Sequence, residues 1–207
     1  MKETALCCFC GIREAKTKDH VPPKSIFNLP RPNNLITVPA CMECNNAASK
    51  NEEIFTAYLG MHISKKRGPA EKFFQEKTIP VVRHNGRLRN YIFSNLKSLF
   101  LASENGVAEK MYGMLWDSDV HDSVIEKIAR GLFFHHYKTI IGNNANVDVH
   151  WYNKLPAGMI NNLYYPSVQD GAFTYFFNKA EETPYDSVWL FQFYDAHWAG
   201  AIITSER

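Results

Sequence analysis

Two pairs of cysteines near the N-terminus constrain this chain more than any other feature. Cys7 and Cys10 form the first Cys-x-x-Cys pair, and Cys41 and Cys44 form the second. Together they supply four thiolates for a tetrahedral Zn²⁺ site, in which Zn–S bonds are about 2.3 Å long. A metal ion held in this way closes the intervening loop and stabilises a unit that buries too little surface on its own. The fifth cysteine, Cys8, is left over, and we expect a buried or spare thiol there.

The segments around the cysteine pairs predict a strand, a loop, a second strand and a helix. Asp19-His20 is followed by two prolines, so we expect these residues at the end of an extended segment that runs into a loop. Residues 35–38 have the composition of a short strand that Pro39 ends. Apolar residues recur at helical spacing from Asn45 onward, which predicts a helix that starts near the second cysteine pair.

Beyond residue 60 the pattern changes and predicts an α+β region with an antiparallel sheet. Asn85-Gly86 lies between two β-rich arms and predicts a hairpin over residues 79–93. Asp122-Ser123, with Glu126 following, resembles a capping box and predicts a helix from there to about Tyr137. Further strands are predicted at residues 147–152, 172–178, 187–194 and 198–204. The last two should form a hairpin, and their aromatic residues should be core.

Composition and charge limit the classes of function. The chain has 207 residues, 45% of them hydrophobic, and no apolar run reaches the roughly 18 residues of a membrane helix. No apolar signal region precedes Cys7, so we expect a cytoplasmic protein with reduced thiols and no membrane partner. Residues 1–90 contain 15 Lys and Arg against 8 Asp and Glu, whereas residues 91–207 contain 8 against 13. A basic N-terminal half suits a phosphate-binding surface, and an ordinary solvated surface is the alternative.

Taken together, five elements of the N-terminal segment resemble an HNH endonuclease of the zinc-containing type. They are the first cysteine pair, Asp19-His20-Val21-Pro22, Asn34-Leu35-Ile36-Thr37-Val38, the second cysteine pair and Asn45. They occur in the family's order and cover roughly residues 7–55. The resemblance implies a ββα-metal fold in residues 1–60, with one divalent cation held against the scissile phosphate. Residues 61–207 would then serve targeting, partner binding or oligomerisation.

The resemblance also implies a role for each matching residue. His20 would be the general base that takes a proton from the attacking water, a task that suits neutral imidazole. Asp19 and Asn45 would bind a catalytic Mg²⁺ or Mn²⁺ through oxygen atoms, with Asn45 in the place of the family's last histidine. Asn34 would brace the loop that orients His20. The four cysteines would hold a structural Zn²⁺ that has no open coordination position.

Departures from the family pattern leave alternatives open. Pro39-Ala40 looks like an insertion before the second cysteine pair, so Asn33 competes with Asn34 for the bracing role. The family often has a lysine three residues after the last ligand, where this chain has Ala48. Lys50 is a candidate substitute as a phosphate contact, and a solvated helix face is the alternative. Asn45 is also a candidate cap for the helix.

Two clusters of basic residues lie later in the chain. Arg83, Arg87 and Arg89 surround the predicted hairpin and are candidates for nucleic-acid contact. The alternative is a hairpin at the edge of a sheet, where charged side chains prevent aggregation. His135 and His136 are adjacent in a predicted helix, so their side chains diverge by about 100° and cannot both face one metal.

The function predicted from these features is a metal-dependent endonuclease that acts on DNA, with RNA left open. A setting in restriction or phage defence follows by analogy only. The alternative is a non-catalytic zinc-containing module that binds nucleic acid or a protein. A homodimer and a regulatory partner are also left open.

Overall fold

A computed structural model gives the fold of this chain. It describes residues 5–61, 68–102, 106, 108–161, 163–169 and 171–205. The described residues form helices and antiparallel sheets, so the predicted α+β class is confirmed at that level. None of the helices in these ranges combines the length and the apolar character that crossing a membrane requires.

The N-terminal part begins with a two-stranded antiparallel sheet. Strand β1 (Thr17–His20) pairs with strand β2 (Thr37–Ala40), and helix α1 (Met42–Met61) follows β2 almost directly. This order agrees with the strand, loop, strand and helix predicted from the sequence. The prediction that Pro39 ends the second strand is wrong, because Pro39 lies inside β2 opposite Lys18. Since β2 has one neighbouring strand, a residue that donates no hydrogen bond is tolerated there.

Helices, rather than a hairpin, occupy the segment around Asn85-Gly86. This segment contains helix α2 (Pro69–Phe73), a π-helical turn (Phe74–Thr78), helix α3 (Ile79–His84) and helix α4 (Gly86–Asn95). The predicted hairpin over residues 79–93 is therefore wrong. Asn85 instead caps α4, because its side-chain oxygen accepts a hydrogen bond from the backbone N–H of Leu88 at 3.0 Å. Asn favours turns and helix caps alike, and a hydrogen bond from Asn85 to Glu53 of α1 favours the cap here.

A hairpin that the sequence does not predict follows α4. Strands β3 (Leu96–Ala102) and β4 (Ala108–Met114) pair antiparallel as a separate two-stranded sheet. Apolar and polar residues do not alternate along β3, and Phe100 and Tyr112 are largely exposed. The period-two pattern of a half-buried strand is therefore missing, which explains why the sequence does not reveal this pair.

Helix α5 (Ser118–Tyr137) begins earlier than the sequence pattern predicts. Asp117 caps it by accepting a hydrogen bond from the backbone N–H of Val120 at 3.3 Å, so the predicted start at Asp122-Ser123 is wrong. Ser123 lies within the helix and donates a hydrogen bond to the carbonyl oxygen of Val120 at 2.8 Å. The predicted end near Tyr137 is confirmed.

A five-stranded antiparallel sheet forms the C-terminal part of the fold. Its strands are β5 (Ala145–Tyr152), β6 (Tyr164–Gln169), β7 (Phe173–Lys179), β8 (Ser187–Phe193) and β9 (His197–Ser205). They lie side by side in the order β5-β9-β8-β7-β6. The four strands predicted from the sequence, including the final hairpin, are confirmed, whereas β6 is not predicted. Most aromatic residues of β7 and β8 are buried, as expected for a core.

One hydrophobic core joins the N-terminal unit to α5 and to the large sheet. Val38 of β2 and Phe55 of α1 are buried in the same cluster as Phe133 of α5 and Trp189 of β8. The ring of Phe55 lies 5.4 Å from that of Phe193 in an edge-to-face arrangement. Side chains from both sides of the predicted boundary at residue 60 therefore share a core. The division of the chain into domains at that residue stays a prediction.

A histidine is buried among aromatic rings where α1, α5 and β5 meet. His121 is 0% exposed, and its ring lies 4.2 Å from Trp116, 4.6 Å from Tyr58 and 6.1 Å from Trp151. Burial lowers the pKa of His121 to about 4, because the surrounding rings do not solvate an imidazolium as water does, and Asp117 opposes the shift. The folded chain therefore holds His121 neutral at neutral pH.

We expect His121 to make the protein less stable in acid. The unfolded chain takes up this proton near pH 6.5, whereas the folded chain takes it up near pH 4, so stability is lost as the pH falls between these values. From pH 7.5 to pH 5 the expected loss is about 2 kcal/mol. Urea unfolding at both pH values measures the free energy of unfolding of the wild type and of His121→Phe. Between pH 7.5 and pH 5 the variant should lose about 2 kcal/mol less of this free energy than the wild type does.

His136 takes up a proton in the same pH range as His121, so its contribution to stability must be the same in the two proteins that are compared. Burial, followed by the neighbouring His135 and Lys138, lowers the pKa of His136 to about 4. Its Nε2 is hydrogen-bonded to the Tyr175 hydroxyl at 3.0 Å. Since the wild type and His121→Phe share His136, its contribution cancels. An equal pH dependence of stability in the two proteins would contradict the prediction for His121.

Candidate functional site

The end of β1 and the first turns of α1 line one cavity of about 430 Å³. Asp19 and His20 contribute from β1, and Asn45 contributes from α1. The hydroxyl of Thr17, in β1, contacts both neighbouring elements. It donates a hydrogen bond to the carbonyl oxygen of Ala40 in β2 at 2.8 Å and accepts one from the side-chain amide of Asn45 in α1 at 3.2 Å. Three of the predicted catalytic residues therefore lie around the same space.

Asn45 lies inside α1 and does not cap it. Its backbone N–H donates to the carbonyl oxygen of Cys41 at 3.1 Å, which is a helical hydrogen bond. The interpretation of Asn45 as a helix cap is therefore wrong. Because its side-chain NH₂ is held by Thr17, its amide oxygen is left for another donor or for a cation.

Asp19 is a buried carboxylate, with both oxygen atoms engaged. Its side chain accepts a hydrogen bond at Oδ1 from the backbone N–H of His20 at 2.8 Å. Its Oδ2 lies 2.5 Å from Nζ of Lys127, which comes from α5. Only 7% of Asp19 is exposed, so this ion pair is largely shielded from water. The orientation of the carboxylate is thus set from two directions.

Lys127 also pairs with a second carboxylate of the cavity wall. Its Nζ lies 2.5 Å from Oε1 of Glu52 and 5.3 Å from the ring centre of Phe9. Burial opposes the charge on Lys127, but the neighbouring Glu52 and Asp19 outweigh it and raise the pKa of the ammonium. Burial raises the pKa of Glu52, and Lys127 opposes this shift.

His20 has the electrostatic surroundings of a neutral imidazole. Burial lowers its pKa below the ordinary value for histidine, and the nearby Lys24 lowers it further, while Asp19 acts in the opposite direction. The ring is half-buried and lines the cavity. A neutral imidazole at neutral pH can accept a proton there.

A polar stripe along α1 forms one wall of the cavity. Asn45, Ser49, Glu52 and Thr56 follow one another at spacings of three and four residues, so they share a helix face. This periodicity is visible in the sequence, and it is the signal that identifies Glu52 as a residue of the site. The neighbouring residues of this segment, such as Lys50, instead suggest a solvated helix face.

Lysines surround the cavity at more exposed positions. Lys18 and Lys24 are exposed lining residues, and Lys77 lines it from the π-helical turn. Lys77 donates a hydrogen bond to the carbonyl oxygen of Phe27 at 2.9 Å, and burial, with a contribution from Arg31, lowers its pKa to about 8. Buried carboxylates are thus combined with cationic side chains nearer to solvent.

The π-helical turn approaches α1 closely at a glycine. A Cβ on Gly60 would lie 1.8 Å from the hydroxyl oxygen of Thr78, so a larger residue at position 60 would push this turn away. Thr78 also lines the cavity. π-helical turns often occur at functional sites. Gly60 therefore allows the segment that carries Lys77 and Thr78 to form a wall of the cavity.

Two predicted site residues lie away from this cavity. Asn34 is exposed in the turn before β2, and within the described ranges no hydrogen bond of its side chain supports the bracing role. Lys50 is exposed on α1 and is not among the described residues that line the cavity, which agrees with a solvated helix face. Asn33, the alternative to Asn34, occupies the same exposed turn.

The arginines proposed for nucleic-acid contact lie on helices and not on a hairpin. Arg87 pairs with Glu53, and Arg89 donates a hydrogen bond to the carbonyl oxygen of Arg83 at 2.7 Å. Arg83 and Arg87 remain exposed at the junction of α3 and α4. The hairpin geometry on which their contact with a groove depends is absent from this described segment.

The four cysteines of the two pairs form a cluster that can hold a metal ion. The sulfur atoms of Cys7, Cys10, Cys41 and Cys44 all lie within 4.8 Å of one another, and none of these cysteines is in a disulfide. Bonds of about 2.3 Å to a tetrahedral zinc place neighbouring sulfur atoms about 3.8 Å apart, so the cluster is compatible with zinc. Cys8 is buried outside the cluster, and burial raises the pKa of its thiol, as expected for an inert spare cysteine.

Arg13 lies against the cysteine cluster, which the sequence does not indicate. Its Nε donates to the sulfur of Cys41 at 3.3 Å, and this contact lowers the pKa of Cys41. Burial opposes ionisation of Cys10, but hydrogen bonds from the backbone of Arg13 and Ile12 lower its pKa to about 6. Burial instead raises the pKa of Cys44 to about 12, so Cys10 and Cys41 are the thiols whose surroundings favour the thiolate that binds a metal.

Searches with this chain against protein-family models, curated proteins and solved structures found no match. The geometry of the cavity and of the cysteine cluster therefore carries the functional argument.

Proposed function

We propose that this protein is a metal-dependent endonuclease of the HNH type that hydrolyses phosphodiester bonds in DNA. One observation carries the proposal: Asp19, His20 and Asn45, which are separated in sequence, line the same cavity between β1 and α1. The two strands and the helix that position them would be the ββα-metal unit of residues 1–60. The cysteine cluster would hold the structural Zn²⁺ of this unit.

The donor set fits a hard divalent cation. Asp19 offers a carboxylate and Asn45 an amide oxygen, and oxygen donors are the ligands that Mg²⁺ and Mn²⁺ prefer. When bound, such a cation polarises the phosphate and stabilises charge on the leaving oxygen. Glu52 adds a second carboxylate close to Asp19, which increases the negative potential that attracts a cation.

His20 would act on the attacking water. Since burial keeps its pKa below the usual range, its ring is neutral at neutral pH and accepts the proton as the water attacks phosphorus. The ring and the carboxylate of Asp19 belong to adjacent residues at the end of β1, so one strand end delivers both groups to the cavity.

The charges around the cavity suit a nucleic-acid backbone. Lys18, Lys24 and Lys77 can each contact a phosphate, and contacts of this kind make affinity fall as the salt concentration rises. The buried carboxylates would meanwhile hold the cation beneath the phosphate. RNA remains an alternative substrate, because phosphate contacts do not distinguish the two polymers.

We expect the zinc-loaded protein to nick or linearise supercoiled plasmid when Mg²⁺ or Mn²⁺ is added. The same protein without added Mg²⁺ or Mn²⁺ should leave the plasmid intact, because a four-thiolate zinc has no open position for substrate. Gel electrophoresis over a time course measures both reactions. Full cleavage with zinc alone would contradict the assignment of a separate catalytic cation.

The same protein also tests the non-catalytic alternative. Salt-dependent DNA binding without cleavage would favour a zinc-containing nucleic-acid-binding module over a nuclease. If the protein neither cleaves nor binds nucleic acid at low salt, a protein-binding role becomes the better explanation. A homodimer or a regulatory partner that restrains activity would be sought after that result.

A further inference from the structure

Lys127 contributes to the Asp19 cluster from outside residues 1–60. It lies on α5, far along the chain from β1, and its side chain is 11% exposed. It is not among the described residues that line the cavity. Its ammonium meets Asp19 and Glu52, each at 2.5 Å.

We propose that Lys127 is a positioning residue that holds the Asp19 carboxylate in the orientation required for binding the catalytic cation. The inference rests on the proposed function, since it assigns a task to Asp19 as a cation ligand. It adds that the site is completed by a helix of the C-terminal region.

The contacts of Asp19 show how this positioning works. Lys127 holds Oδ2, and the backbone N–H of His20 holds Oδ1, so rotation of the carboxylate would break one contact or the other. Lys127 is itself fixed by Glu52 and by the ring of Phe9, so it cannot follow a movement of Asp19 freely.

Removal of the ammonium would leave Asp19 and Glu52 without their shared partner. Their side chains are 9% and 16% exposed, so water would screen the repulsion between the two carboxylates only in part. Turning Asp19 away from Glu52 would relieve this repulsion, and the turn would remove a well-placed anionic ligand. Outer contacts that orient metal ligands typically change metal affinity by 10–100-fold when they are lost.

The test is Mn²⁺ binding by the zinc-loaded full-length protein, measured by calorimetry and by the electron spin resonance signal of free Mn²⁺. The wild type should bind Mn²⁺, and Asp19→Asn should weaken that binding strongly. Lys127→Met should weaken it by about 10–100-fold. Lys127→Arg, which keeps the charge, should lie closer to the wild type than Lys127→Met does. Lys97→Met, on exposed β3, is the matched control and should bind as the wild type does.

The outcomes separate this inference from the proposed function. A wild type that binds no Mn²⁺, or binds it equally after Asp19→Asn, would overturn the proposed function and the inference together. Asp19-dependent binding that Lys127→Met leaves unchanged would overturn the inference alone. Tighter binding in Lys127→Met would also overturn it, because Lys127 would then compete with the cation. Should Lys127→Met fail to fold, Lys127→Gln keeps a polar head without the charge, and the same loss is expected of it.

Discussion

A Cys41→Ser variant is expected to lose its zinc and the folded arrangement of the cysteine cluster. A serine hydroxyl is a poor replacement for a thiolate, and three remaining thiolates hold zinc much less tightly. Structural zinc contributes on the order of 10 kcal/mol in zinc-finger peptides, a value comparable to the total stability of a typical domain. Even a loss of about 5 kcal/mol would lower the melting temperature of a chain of 207 residues by about 10–20 °C. Zinc analysis and thermal unfolding followed by circular dichroism measure both effects.

Cys8→Ser is the matched control for this variant. Cys8 is buried next to the cluster, carries the same side chain and contributes no sulfur to the four that lie together. Its variant should keep one zinc per chain and lose only the small stability of a buried thiol. A zinc-free Cys41→Ser protein that melts like the wild type would remove the structural role of the cluster. Equal zinc loss in both variants would point to a different set of ligands.

His20→Ala should reduce the rate of DNA cleavage by about 10²–10⁴-fold while zinc content and fold are retained. Under the proposed function, the variant lacks the imidazole that would take the proton from water, so the loss should appear in kcat. The hydrogen bond that His20 gives to Asp19 uses its backbone N–H, which alanine preserves, so the cation ligand should stay in place. Single-turnover cleavage of a labelled duplex, together with DNA affinity at one fixed salt concentration, measures the change.

His150→Ala controls for the loss of a histidine as such. His150 is exposed on β5, away from the lining of the cavity in the described part of the chain, and its variant should cleave as the wild type does. An active His20→Ala protein would show that another group accepts the proton. A His20→Ala protein with lost DNA affinity and an unchanged single-turnover rate would make His20 a binding residue.

Short-range patterns in the sequence anticipate a large share of the candidate site. Asp19, His20 and Asn45 are candidates because of the resemblance to HNH endonucleases, and all three line the cavity. The four clustered cysteines are likewise those that the Cys-x-x-Cys spacing indicates. These residues come together because β1 pairs with β2 and α1 follows β2 almost directly, while their catalytic roles stay predictions.

Short-range patterns give wrong predictions where the same residues are compatible with two local structures, such as a turn and a helix cap. Asn85-Gly86 favours a tight turn, but Asn85 is also a good helix cap, and contact with Glu53 of α1 selects the cap. Asp122-Ser123 resembles a helix start, yet α5 begins at Ser118 because Asp117 provides the cap one turn earlier. In both places local propensity allows several outcomes of similar energy, and neighbouring elements decide among them.

The sequence by itself identified the two cysteine pairs, the cavity residues Asp19, His20 and Asn45, and four of the five strands of the large sheet. The four strands follow from patterns within short segments, which local backbone geometry translates directly into structure. Only the tertiary structure decided that Lys127 reaches Asp19 and Glu52, and that Lys77 on a π-helical turn joins the cavity wall. Helices α5 and α1 are brought together because they bury side chains in a shared core. A contact between residues so distant in sequence produces no periodic pattern from which it could be predicted.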